Sequence, residues 1–154
     1  DDFSDVIKSR IPRKSKELLP RLDLWGRPIE REQTGLSAFS PVWVSTAKDD
    51  PIDSEMARLE LFKSLPGKMV EKVELTPEQH NDYIKLSGER ARKKLEDFIV
   101  KNRKVWEKRT DQKKVDKINE IFSSSRKMAK RELLRKYPEL RQAIRDKKDE
   151  WGTR

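Results

Sequence analysis

Apolar positions along this chain fall into two regimes. Through residues 1–52 they come as scattered anchors, Leu18, Leu19, Leu22, Leu24, Trp25, Phe39, Val42, Trp43 and Val44, set among Pro12, Pro20, Gly26, Pro28, Gly35, Pro41 and Pro51. Proline fixes φ and lacks a donor, so this spacing denies helix interiors and favours extended or turn geometry. The stretch Ser40–Thr46 has strand-forming residues behind a proline and reads as an edge or added strand.

From residue 53 the spacing turns helical. A first helix is expected over Asp53–Leu65, capped by Asp53 or Ser54, with Met56, Leu59, Leu61, Phe62 and Leu65 as its apolar positions and Pro66-Gly67 as its stop. Val70 and Val73 then lead through a short extended segment to Leu75. Thr76-Pro77-Glu78-Gln79 has the form of a capping box with proline at the first helical position. The helix it starts carries Tyr83, Leu86, Ala91, Leu95, Phe98 and Ile99 inward, has a point of bending or division at Gly88, and ends near Lys101 to Arg103. A third helix from Thr110-Asp111 places Val115, Ile118, Phe122, Ser125, Ala129 and Leu133 on a narrow stripe. Tyr137-Pro138 breaks it, and a last helix carries Leu140, Ile144 and Trp151. The expected fold is mostly α: an extended irregular arm over 1–52, then a small helical hairpin or bundle over 53–154.

Composition qualifies this picture. Hydrophobic residues make up 33% and charged residues 42%, too little apolar material to bury every segment, so part of the chain is expected to be extended or partner-dependent. With no cysteine there is neither a disulfide framework nor a thiolate site. No run is long and apolar enough to span a membrane, the start has no signal-peptide pattern, and a first residue other than methionine suggests a piece of a longer product. The net charge of +9 is uneven: residues 1–87 hold 14 Lys+Arg and 16 Asp+Glu, a net of −2, whereas residues 88–154 hold 23 and 12, a net of +11. All the basic excess lies in the second half, which suits nucleic acid, an acidic protein surface or anionic lipid, or simply a solvated helical face.

Candidate chemistry is sparse. His80, the only histidine, falls in the first turn of the capped helix and reads as a surface or capping residue rather than a general base. Asp49-Asp50 and Asp149-Glu150 sit in polar contexts and read as solvated. No glycine-rich phosphate loop or metal-ligand spacing is present, so no cofactor is expected, and no catalytic residue is nominated. The candidates for phosphate contacts are Arg90, Arg92, Lys93, Lys94, Arg126, Lys127, Lys130 and Arg131, with Trp106 able either to stack on a base or to cover a helix junction. Trp25, Phe39 and Trp43 are candidate partner anchors, although both tryptophans have the alternative of folding back on the chain's own helices.

From Leu22 to Leu140 the order of segments resembles a module near the ends of very large phage and prophage proteins of the tail, internal-virion or DNA-ejection kind. The resemblance rests on Asp23-Leu24-Trp25-Gly26-Arg27-Pro28, Ser40-Pro41-Val42-Trp43-Val44-Ser45, Asp50-Pro51-Ile52, Val73-Glu74-Leu75-Thr76-Pro77-Glu78-Gln79 and Ala129 to Leu140. It implies a non-enzymatic virion component, carried in the particle or into the host cytoplasm at ejection. Such a component would meet other subunits, in multiple copies, through its arm. The alternative is a subunit of a nucleoprotein complex whose basic helices contact DNA or RNA phosphates.

Overall fold

The computed structural model describes residues 19–29 and 50–152. Among them the chain is mostly helical, as expected, with five α-helices and one two-stranded sheet.

Residues 22–28, within the segment expected to be extended, form a closed turn. Asp23 organises it. Its carboxylate accepts from the N–H groups of Trp25 (2.9 Å) and Arg27 (2.8 Å), and Leu22 bridges Pro28 across the neck. Gly26 takes φ +80, and a Cβ there would sit 2.6 Å from the Lys85 Cα, so glycine is needed both for the turn and for its seat on a helix.

Helix α1 spans Pro51–Arg58 rather than Asp53–Leu65. Asp50, not Asp53 or Ser54, is its cap, accepting from the Ile52 N–H at 3.0 Å, and Pro51 fills the first helical position. At the far end Glu60 turns left-handed at φ 54, while Glu60 N–H donates to Ala57 and Leu61 N–H to Met56. That is a Schellman stop without its usual glycine. It turns Leu61 back toward Met56 and leaves Phe62 and Leu65, expected on the helix, 89% and 41% exposed.

Strands β1 (Met69–Val70) and β2 (Val73–Glu74) pair antiparallel through a two-residue turn in which Glu71 and Lys72 both take positive φ. Helix α2 spans Pro77–Glu96, and both halves of the Thr76/Gln79 capping box form, at 3.2 and 3.1 Å. The helix runs unbroken through Gly88, which does not divide it. The irregularity comes later, where Asp97–Lys101 forms a π-helical turn closed by the Asn102 side chain donating to the Asp97 carbonyl (2.7 Å). A short α3, Arg103–Glu107, leads to α4, Asp111–Lys136, capped by Thr110. Tyr137, before Pro138, leaves helical geometry at φ −120, ψ 84 as a residue preceding proline tends to, and α5 follows over Pro138–Gly152.

Helices α2 and α4 form the central hairpin. One apolar cluster gathers Trp25, Ile52, Met56, Ala91, Leu95, Ile99, Trp106, Ile118, Ile121 and Phe122; the other gathers Val70, Leu75, Tyr83, Ala129, Leu133, Leu140 and Ile144. Between them along α2 and α4 lie the buried Ser87 and Ser125, small residues that suit close helix approach. The apolar face of α2 was only partly anticipated, since Ile84, Ser87 and Gly88 are also buried there.

Candidate functional site

Where the 22–28 turn, α1 and the central hairpin meet, two tryptophans and three carboxylates are drawn together. Gly88 permits the first contact: a Cβ there would lie 2.6 Å from both the Leu24 carbonyl oxygen and the Trp25 carbonyl carbon. Trp25 thereby reaches the core, 4% exposed, with its ring 5.8 Å from that of Phe122. Its indole Nε1 donates to Asp53 Oδ1 at 3.0 Å, and the Arg92 guanidinium lies 5.5 Å above its ring. Arg92 also donates to Asp50 Oδ2 at 2.5 Å, tying the α1 cap to the middle of α2.

A second pair repeats the device two residues further along α1. Trp106, 3% exposed, donates through Nε1 to Glu55 Oε1 at 2.9 Å. Glu55 also accepts from Arg58 at 2.8 and 3.0 Å and faces the buried Lys114 at 3.5 Å, while Arg58 reaches on to Asp111 at 2.8 Å.

Burial alone would raise the Asp50 carboxyl, but the hydrogen bond from Arg92, the Ile52 N–H and the Arg92 charge outweigh it and hold the group below the usual carboxylate range. Glu55 is lowered chiefly by the Arg58 hydrogen bond, against burial, with Trp106 and the Arg58 and Lys114 charges assisting. Both are therefore fixed anions at neutral pH, positioned to clamp elements together rather than to exchange protons.

These contacts correct several sequence expectations. Trp25 is an anchor for the chain's own core and is not free for a partner, which is the fold-back alternative. Phe39 and Trp43 lie outside the described residues. Trp106 covers a helix junction and has no face open for base stacking. Asp50 caps α1 and pairs with Arg92 rather than being solvated. His80 meets the Pro66 carbonyl at 2.9 Å. The carboxylates Asp53 and Glu55 were missed as partners of the tryptophans, because nothing in a linear pattern pairs residue 25 with 53 or 55 with 106.

The eight proposed phosphate contacts divide. Arg90 pairs with Glu132 (2.5 Å), Arg92 with Asp50, and Lys130 with Glu71; Lys94 donates to Ser124 (3.2 Å) and Arg126 to the Ser64 carbonyl. Lys93, Lys127 and Arg131 are exposed, and Arg131 reaches only the Met128 sulfur at 3.9 Å. Much of the basic second half is thus internal stapling.

Among the described residues no group of side chains has a metal-binding arrangement, and no helix is long and apolar enough to cross a membrane. An open surface groove of about 630 Å³ runs between α2 and α4 with Asp82, Leu86, Glu89 and Glu132 in its lining. Its Asp82 is already engaged by Lys136 and by the Tyr137 hydroxyl (2.5 Å).

No protein-family model, curated protein or solved structure matches this chain.

Proposed function

We propose that the chain is a non-catalytic structural subunit of a bacteriophage virion, of the tail, internal-virion or DNA-ejection kind that its sequence resembles, and that it works through protein–protein contacts. The observation that carries the reading is the connection between α1 and the hairpin, which offers Phe62, Met69 and Leu65 to solvent at 89%, 61% and 41% exposure. Large apolar side chains concentrated in one short exposed connection favour burial against another protein. Phe62 has no competing internal role, because the Schellman stop turns Leu61 inward and Phe62 outward.

Three of the described segments behind the resemblance are also structural joints of this fold. Asp23–Pro28 forms the turn, Asp50-Pro51-Ile52 starts α1, and Thr76–Gln79 starts α2. A module with this order would keep a common body while its outer residues adapted to neighbours. Within this reading Phe39 and Trp43, which lie outside the described residues, are further anchors.

The test is fractionation of phage particles on a density gradient, with the chain detected by antibody before and after nuclease and high salt. Retention with the particles through both treatments is expected, and a Phe62→Ser/Met69→Ser double variant should incorporate poorly while keeping its helical circular dichroism. A chain found only in particle-free fractions would overturn the proposal.

A further inference from the structure

The basic excess of α4 is concentrated in one half of the helix. From Ile121 to Lys136 it carries Arg126, Lys127, Lys130, Arg131, Arg135 and Lys136 against a single acid, Glu132. Internal pairing removes part of this charge. Lys130 is held by Glu71, Lys136 by Asp82, and Glu132 is occupied by Arg90. Lys127, Arg131 and Arg135 have no carboxylate partner among the described residues, and all three are exposed.

Their placement is regular. They follow Ser125, Ala129 and Leu133 by two positions each, which at about 100° per residue puts them opposite the buried face. Steps of four residues space them by about 6 Å along the axis, so the row runs about 12 Å. Arg126 beside it donates to a neutral carbonyl, leaving its own charge uncancelled. At one end Arg135 borders the groove holding Asp82, Glu89 and Glu132, of which Asp82 and Glu132 are already paired internally.

We infer that the Lys127–Arg131–Arg135 row is a docking surface for the phosphate backbone of a duplex nucleic acid. A protein partner wants an apolar or aromatic centre ringed by polar groups. This face offers nothing larger than Met128, 40% exposed, whereas a regular array of phosphates needs only cations at intervals. The surface is independent of the Phe62 connection, and of the assembly role proposed for it.

The test is fluorescence anisotropy with a labelled random-sequence duplex DNA, titrated with the full chain from about 50 mM to about 200 mM salt. For the Lys127→Ala/Arg131→Ala/Arg135→Ala variant, affinity should fall at least tenfold, and the slope of log affinity against log salt should flatten by about 2 to 3, near 0.9 per lost contact. A second variant, Lys104→Ala/Lys108→Ala/Lys113→Ala, removes the same charge from exposed sites elsewhere and should change the slope far less. Circular dichroism and melting of both variants establish that the fold is kept. Equal effects of the two variants would assign binding to net charge and overturn the row as a site. So would a wild-type chain that ignores the duplex at low salt, whether or not it is retained by an acidic protein or by anionic vesicles.

Discussion

Glu60 shows how one residue sets the length of an element. It holds a left-handed φ of 54 at the stop of α1, a conformation that costs an L-residue about 1 to 2 kcal/mol and that glycine adopts freely. Its side chain is exposed, so little is lost with it. Glu60→Gly is expected to raise stability by about 0.5 to 1 kcal/mol, the larger freedom of glycine in the unfolded chain offsetting part of the relief. Urea unfolding checks it, and a clear fall in stability would mean that the Schellman geometry is not what ends the helix. The same scale explains the indoles: each buried Nε1–H requires an acceptor, and α1 supplies one to each, Asp53 to Trp25 and Glu55 to Trp106.

At the scale of elements, α2 owes its position to a missing side chain. In an ordinary helix interior Gly→Ala stabilises by about 1 kcal/mol. At Gly88 the added carbon would meet the Leu24 and Trp25 backbone at 2.6 Å, and backbone cannot swing aside as a flexible side chain does. Gly88→Ala should therefore lower stability, by about 1 to 3 kcal/mol as in overpacked cores, and should expose Trp25 with a red shift of its fluorescence. A rise in melting temperature would show that the turn is not docked on α2. The β1–β2 hairpin makes a related point, since its two positive-φ residues are Glu71 and Lys72 rather than the Asn-Gly that such turns favour. The Glu71–Lys130 pair, made to another element, helps hold that geometry.

Across the whole molecule, ion pairs join segments distant in sequence: Arg92 to Asp50, Arg58 to Asp111, Lys136 to Asp82. The carboxylates in these pairs, and Glu55, have folded pKa values below their ordinary ones. A depressed folded pKa means that the unfolded state binds protons first on acidification. Their contribution is thus complete above the unfolded values of about 4 to 4.5 and is lost as pH falls through the lower folded values. Unfolding free energy should be nearly flat from about pH 7 to about pH 5 and then decline. Asp50→Asn keeps a capping side chain but removes the charge facing Arg92. It should be less stable than the parent at neutral pH and lose less on acidification; parallel curves would assign the acid sensitivity elsewhere.

What the sequence alone determined is local. The capping box at Thr76, the start of α4 at Thr110 and the break at Tyr137-Pro138 depend on neighbouring residues, so the chain's own pattern was enough to place them. The stripe from Ile118 to Leu133 was legible for the same reason, because a single helix imposes its period. What only the tertiary structure decided is which distant residues satisfy one another. Trp25 reads equally as an outward anchor or an inward one until Gly88 is seen to leave room for its backbone. Arg90, Arg92 and Lys130 read as a free basic surface until Glu132, Asp50 and Glu71 are brought beside them by folding. The row at Lys127, Arg131 and Arg135 emerges only by subtracting those internal pairs, because sequence counts charges whereas the folded chain determines which of them are already neutralised.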